Sequence, residues 1–319
     1  MLDDAITRGR GRLPGLVLGA VSGGKEAARA VGDVATDALF EIGSVTKVFT
    51  ATLLADLYLA GEVALDEPLQ ALLPDVRVPT RDGEITLEHL ATHSSGLPRL
   101  PPGFLRRARR QRQNPYAWLL EEDVVAALER TRLHARPGSK VRYSNFGAGL
   151  LGIALARRTG VPYGELLRAR VLTPLALRET GVDVAADRLA AGHSRRGLPV
   201  AHWDVRGLEG AGALRSSAGD IVRFVRACLE PPSAAPGPAL ALALEPRRRL
   251  NRFGDIGLGW FLGRRKEGWT LAWHNGGTGG FRSFVGLALG QGVGVVALTN
   301  SARSADRVAV RAVERLARG

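Results

Sequence analysis

Near the start of the chain, residues 16–21 (Leu-Val-Leu-Gly-Ala-Val) and 27–31 form two short apolar-rich runs on either side of Ser22-Gly23-Gly24. Two such runs around a glycine turn predict a β-hairpin. The next run has another character. Over residues 45–60 apolar side chains fall on nearly every helical face and Gly61 provides a stop, so a helix buried all round is expected there. From Gly61 to about Arg215, helical patterns alternate with proline-marked loops, and a 3.6-residue period is visible over 145–158 and 163–171. A helix is expected over 220–229, a loop at Pro231 to Pro236, and strands over 257–262, 270–275, 281–289 and 292–299. An amphipathic helix over 305–317 closes the chain, with Val308, Val310, Val313 and Leu316 as its apolar residues. Strands at both ends with helices between them imply one α/β domain from residues 1–60 and 216–319, with a mainly helical domain, 61–215, inserted into it.

Composition narrows the class. The 319 residues are 45% hydrophobic and 24% charged, which fits a globular chain long enough for a sizeable core. The single cysteine, Cys228, excludes an internal disulfide and a cysteine-rich zinc site. The net charge of +13 raises the question of a polyanionic partner. Yet apart from Lys25, Lys47, Lys140 and Lys266 the basic residues are arginines spread along the whole chain, so a solvated surface is expected and no nucleic-acid partner. The densest group, Arg106, Arg107, Arg109, Arg110 and Arg112, lies between Pro101-Pro102-Gly103 and Asn114-Pro115, where an exposed loop or short helix is the expectation. Residues 1–30 lack a secretory apolar core with a cleavage site, and no apolar stretch reaches the roughly 20 residues of a span. The expectation is a cytoplasmic protein without membrane association.

Three short motifs carry candidate chemistry. Ser44-Val45-Thr46-Lys47 opens the buried helix, and its i, i+3 spacing places hydroxyl and amine on one face. A lysine kept from water can lose its proton and accept one from the serine, while the helix start offers N–H groups to an oxyanion. Alternatively Ser44 is an ordinary N-cap. Tyr143-Ser144-Asn145 stands at a loop-to-helix junction after the possible strand 141–143. Tyrosine titrates near 10, so a neighbouring cation such as Lys47 is needed if it is to shuttle protons near neutrality; the alternative is a buried structural tyrosine with Asn145 as cap. His274-Asn275-Gly276-Gly277 follows an apolar run, and glycines just after a strand allow a ligand to approach the backbone, or form a plain hairpin turn.

Taken together and in this order, Ser44-x-x-Lys47, Tyr143-x-Asn145 and His274-x-Gly276 resemble the three motifs of the serine β-lactamase and penicillin-binding-protein superfamily. The Tyr-x-Asn form is similar to the class C β-lactamase and related esterase branch. The connecting text agrees: Phe40-Glu41-Ile42-Gly43, Leu65-Asp66-Glu67-Pro68, the stretch 85–97 with His93-Ser94-Ser95-Gly96-Leu97, and Gly212-Ala213-Leu214-Arg215-Ser216-Ser217. The resemblance spans about residues 10–318. It implies an antiparallel sheet built from both termini, flanked by helices, with the helical lobe inserted. It further implies an acyl-enzyme on Ser44, with Lys47 and Tyr143 exchanging protons with it. Asn145 would contact the acyl group, the N–H groups of Ser44 and Gly277 would hold the oxyanion, and His274 and Gly276 would line the substrate. No cofactor is implied. Where relatives usually carry a lysine for the substrate carboxylate, this chain has His274, as esterase-like members do. The expected function is therefore a serine hydrolase of small ester, amide or peptide substrates, esterase more than efficient β-lactamase. An acyltransferase using the same intermediate and a catalytically silent binding protein are the alternatives.

Other motifs are set aside. Gly147-Ala148-Gly149-Leu150-Leu151-Gly152 matches a dinucleotide fingerprint, but no βαβ return follows it. His89 and His93 have the spacing of helical zinc ligands without the glutamate a zinc hydrolase requires, so no metal is expected. Neither G-x-S-x-G nor a P-loop is present. Trp118, Trp203 and Trp260 are candidates for an acyl pocket or for core packing, in a chain whose segments 99–120 and 193–210 are the hardest to read.

Overall fold

A computed structural model describes Ile6, Gly11 and residues 13–318. Twelve strands occur among these residues: β1 Gly15–Ser22, β2 Lys25–Gly32, β3 Leu39–Glu41, β4 Gly192–His193, β5 Pro199–Val200, β6 Arg215–Ser217, β7 Arg248–Asn251, β8 Gly254–Ile256, β9 Phe261–Arg264, β10 Thr270–Gly277, β11 Arg282–Leu289 and β12 Val293–Thr299. Eight of them form one antiparallel sheet in the order β2-β1-β12-β11-β10-β9-β8-β7. The first strand of the chain thus pairs with the last, Leu16 opposite Thr299, and the sheet is built from both ends of the chain as the resemblance implied. The expected hairpin is β1–β2.

Alternation of side chains along β1 separates two cores. Val17 and Val21 join the larger cluster with the helices of the middle of the chain, while Leu16, Leu18 and Ala20 join a smaller one on the other face. The smaller cluster is closed by the terminal amphipathic helix Asp306–Leu316, through Ala309, Ala312 and Val313. On the first face lies the helix Ala218–Leu229, and here two glycines in the strands matter. A Cβ at Gly19 would stand 2.3 Å from Val222 Cγ2, and one at Gly294 would stand 2.2 Å from Val225 Cγ1, so the helix sits directly on backbone.

Two further helices carry the site. We label Thr46–Leu59 α1 and Asn145–Thr159 α2. Every residue of α1 from Thr46 to Leu57 is buried, because helices and sheet surround it on all sides. Its Phe49 stacks on Phe224 at 4.1 Å between ring centroids, and Phe224 stacks in turn on fully buried Trp260. The glycines of the apparent dinucleotide fingerprint lie inside α2, where they admit a close neighbour. A Cβ at Gly149 would stand 2.2 Å from Leu208 Cδ2, and one at Gly152 would stand 3.2 Å from Gly210 Cα. That close approach brings residues 208–212 against the helix. The chain leaves and re-enters the sheet region through the short ribbon β3–β6, Leu39 opposite Ser217.

Several expectations need correction. Residues 141–144 are irregular and not a strand, because Tyr143 and its neighbours are held by side chains of other segments. The expected strand 257–262 begins only at Phe261; Gly257–Trp260 is a turn, with the Gly257 N–H donating to the Trp260 carbonyl. The helix Gly237–Ala243 and the strands β7 and β8 at one side of the sheet were not anticipated, since a proline in the helix and three charged residues in the two short strands hide their patterns. The period over 163–171 yields a helix only to Leu167, followed by a wider turn, Arg168–Leu172.

Candidate active site

Ser44 lies in a single tight turn, Gly43–Val45, that precedes α1. It is not an N-cap: Val45 occupies that position and no side chain caps the helix. Gly43 adopts φ +49°, and a Cβ there would stand 2.7 Å from Gly277 N. The reverse holds for Gly276, whose Cβ would stand 2.0 Å from the Ile42 carbonyl oxygen and 3.0 Å from Ser44 N. Glycine on both sides therefore lets β10 run past the nucleophile turn, and this is why the strand continues to Gly277 instead of ending at Asn275. Ser283 on β11 ties the two together, its hydroxyl donating to the Ile42 carbonyl at 2.6 Å.

Three elements converge on the Ser44 hydroxyl. Lys47, one helical turn on, places Nζ 3.2 Å from Ser44 Oγ, 2.9 Å from Asn145 Oδ1 and 2.6 Å from the Ala211 carbonyl oxygen. Tyr143 donates its phenolic proton to Ser44 Oγ at 2.6 Å. Asn145 opens α2 without capping it; Ser144 does that, accepting from the Gly147 N–H at 2.9 Å. The amide of Asn145 is thereby free to face Lys47.

Burial decides the protonation of this cluster. Lys47 is 3% exposed, and desolvation, with the charge of Arg99 second, holds its amine well below the usual lysine range. A neutral amine has two N–H donors and one lone pair. Asn145 Oδ1 and the Ala211 carbonyl can only accept, so in the neutral form the two N–H groups would serve them and the lone pair would face Ser44. Tyr143 goes the other way: burial pushes its phenol up to about 12, against smaller opposing effects of Ser44 and Arg99. A cation does act on this tyrosine, Arg99, but its lowering effect is smaller than that of burial, so the phenol stays protonated at neutral pH.

His274 is fully buried on β10, where desolvation and the charge on Lys47 push its imidazole down to about 3. Its Nδ1 lies 2.7 Å from the Asn275 carbonyl oxygen, so that nitrogen carries the proton and Nε2 is bare. Its ring stands 6.2 Å from that of Tyr143.

Several site residues were missed in the sequence. His93, beyond a helix at φ +54°, accepts from the Ser144 N–H with Nδ1 and from the Arg142 N–H with its carbonyl. It braces the loop that carries Tyr143. His89 caps the helix Leu87–Ala91 through Thr86, so the two histidines act separately; among the described residues no group able to hold a metal is found. Tyr116 reaches Asn145 Nδ2 at 3.5 Å, and Trp203 is fixed by its N–H donating to Glu41 at 2.8 Å. Trp203 was already a pocket candidate in the sequence, whereas nothing there singled out Tyr116. Trp118 packs outside the pocket under Arg107, and Trp260 belongs to the core.

Tyr116, Trp203, Val205, Gly212 and Thr278 enclose a space over Ser44 of about 30 Å³, with Gly277 on the far wall. That is the room of roughly one water molecule. Wider clefts occur elsewhere, one of about 480 Å³ along Arg168, Glu179 and Asp183 and one of about 510 Å³ beside His89, Arg136 and Arg248, but neither is lined by Ser44, Lys47 or Tyr143.

An activated serine in this setting defines a serine hydrolase. The chain belongs to the Beta-lactamase family, whose family model matches residues 2–318. It is 30% identical over 284 residues to the D-alanyl-D-alanine-carboxypeptidase/endopeptidase AmpH of Escherichia coli (strain K12), covering 83% of this chain and 72% of that protein. It is 26% identical over 301 residues to a Beta-lactamase of Pseudomonas fluorescens, covering 84% and 80%. Among solved structures, the class C beta lactamase from Rhodobacter sphaeroides superposes with a TM-score of 0.84 at 26% identity, over 98% of this chain and 97% of that one.

Proposed function

We propose that the protein hydrolyses small carboxylic esters through an acyl-enzyme on Ser44, as an esterase more than an efficient β-lactamase. The observation that carries this reading is the placing of Ser44 Oγ between Lys47 Nζ at 3.2 Å and Tyr143 Oη at 2.6 Å. Neutral Lys47 takes the hydroxyl proton as Oγ attacks the acyl carbonyl. The N–H groups of Ser44 and Gly277 receive the developing oxyanion, the former standing in the first turn where no intrahelical acceptor is available. Tyr143, protonated at neutral pH, gives a proton to the departing alcohol, and Lys47 returns one to the phenolate. Water then repeats the sequence from the other side and releases the acid. Asn145 holds the amine in place and turns its NH₂ toward the acyl group.

Neutral His274 supports the preference for esters. With its imidazole held near 3, the third motif presents no cation to a carboxylate at working pH. The narrow space over Ser44 favours short acyl chains.

The test is intact mass after reaction with a fluorophosphonate, with peptide mapping and a Ser44→Ala control, followed by a panel of 4-nitrophenyl esters, anilides and a chromogenic cephalosporin. A single adduct on Ser44 and turnover of short esters above the cephalosporin are expected. A folded protein that takes no adduct would sink the reading in favour of a silent binding protein.

A further inference from the structure

Segment 201–206, which carries Trp203 and Val205 to the wall over Ser44, has no regular secondary structure, so its backbone groups find partners among side chains. Both polar groups of the Trp203 backbone do so on the β3–β6 ribbon. The N–H donates to Glu41 Oε1 at 2.8 Å, and the carbonyl accepts from Arg215 Nη2 at 3.1 Å. Glu41 and Arg215 stand directly opposite each other across that ribbon. The same Glu41 oxygen accepts from His202 Nδ1 at 3.0 Å, and the His202 ring stacks on Phe281 at 5.5 Å between centroids. Further along, Asp204 and Asn114 exchange two hydrogen bonds of 3.0 Å, and the Trp203 ring meets that of Tyr116 at 5.3 Å.

Glu41 is 3% exposed and precedes Ser44 on the same segment, Glu41-Ile42-Gly43-Ser44. Burying a carboxylate is costly, and among the described residues its second oxygen, Oε2, has no partner. An apolar side chain would fill the place at less cost. What the acid adds is an acceptor for Trp203 and His202, mounted on the chain that bears the nucleophile. The wall so held leaves the room of roughly one water molecule over Ser44, so a longer acyl chain enters only as Trp203 withdraws. We infer that Glu41 and Arg215 are positioning residues that set the acyl-chain limit of the site, by clamping Trp203 over Ser44. This inference rests on the proposed hydrolase reading and names what bounds the acyl half of its substrates.

The experiment measures kcat/KM for 4-nitrophenyl acetate and octanoate on the full chain, on Glu41→Ala, Glu41→Gln and Arg215→Lys, and on Trp203→Ala with and without Glu41→Ala. The readout is the octanoate-to-acetate ratio. It is expected to rise about tenfold in Glu41→Ala, through the KM of the octanoate more than its kcat, and less in Glu41→Gln, which keeps an oxygen for the Trp203 N–H. Arg215→Lys should raise it too, because one nitrogen cannot span the Val182 and Trp203 carbonyls as the two guanidinium nitrogens do. In the Trp203→Ala background Glu41→Ala should change the ratio by less than twofold, since the wall it holds is gone. An equal change with and without Trp203 overturns the clamp and makes Glu41 a residue of general stability. A ratio unchanged within twofold in folded Glu41→Ala and Arg215→Lys overturns it as well; if Glu41→Ala does not fold, Glu41→Gln takes its place in every comparison. A parent protein that hydrolyses neither ester and takes no adduct on Ser44 strikes the hydrolase reading itself, whereas turnover by the parent without these shifts strikes this inference alone.

Discussion

Replacing Gly276 by alanine tests whether the contact between β10 and the nucleophile turn sets the geometry of catalysis. The new Cβ would stand 2.0 Å from the Ile42 carbonyl oxygen, 2.3 Å from Ser283 Oγ and 3.0 Å from Ser44 N. Unbonded carbon and oxygen keep about 3.3 Å or more between them, so the Ile42–Ser44 segment must withdraw by roughly 1.3 Å. The hydrogen bond from Ser283 to Ile42 is lost with that movement, at about 1 kcal/mol, and overpacking of this kind costs about 1–3 kcal/mol in stability. Catalysis suffers more. A displacement of about 1 Å at a reacting group costs on the order of 100-fold, and here it moves the Ser44 N–H as well as the hydroxyl. We therefore expect kcat for 4-nitrophenyl butyrate to fall about 100-fold with KM little changed, and the rate of fluorophosphonate labelling to fall in parallel. Gly263→Ala on β9 is the control, because its Cβ would meet nothing nearer than the Leu271 carbonyl oxygen at 3.9 Å. Activity of Gly276→Ala within threefold of the parent, with an unchanged thermal midpoint, would refute the reasoning.

Trp203→Ala opens the wall over Ser44, so kcat/KM across a 4-nitrophenyl ester series from acetate to octanoate should shift toward longer chains; an unchanged chain-length profile would remove Trp203 from the acyl pocket. Lys47→Arg installs a cation that cannot lose its proton, and should slow Ser44 labelling by about 10²–10⁴-fold, measured by intact mass over time. Acid should destabilise the fold through its buried histidines. His274 titrates near 3 when folded and about 6.5 when unfolded, and His93 shifts the same way, so the unfolded state binds more protons and the stability present above about pH 6.5 is lost as pH falls toward 3. The unfolding free energy from urea titration should drop between pH 7 and 5, by up to about 1.4 kcal/mol per pH unit for each histidine that stays neutral, and drop less in His274→Gln. Leu208→Ala withdraws the side chain that fills the groove at Gly149, and should lower stability by about 2–5 kcal/mol in denaturant titration while loosening the Ala211 carbonyl from Lys47.

Local pattern was enough for the hairpin β1–β2, for strands β10 to β12 and for the Ser44–Lys47 pair, but not for β7 and β8. The hairpin, the terminal helix and the all-apolar helix α1 each show their period within a dozen residues, and Ser44 and Lys47 meet because one helical turn joins them. Tyr143, Asn145 and His274 were visible as motif positions, but their roles depend on burial, which depends on every segment packed around them. The phenol of Tyr143 rises to about 12 and the imidazole of His274 falls to about 3 for one reason, exclusion of water, which no spacing of residues along the chain encodes. The same is true of Arg99, Tyr116, Trp203 and the Ala211 carbonyl. They reach the site from positions 52 to 167 residues away from Ser44 or Lys47, held there by glycines at 149, 152, 210 and 276 that let backbones approach. The order of residues names the groups that can react and the elements that carry them. Which of those groups are kept dry, and which carries a proton, follows from the assembled core, because desolvation and contact belong to the packing of distant segments and to no single stretch of chain.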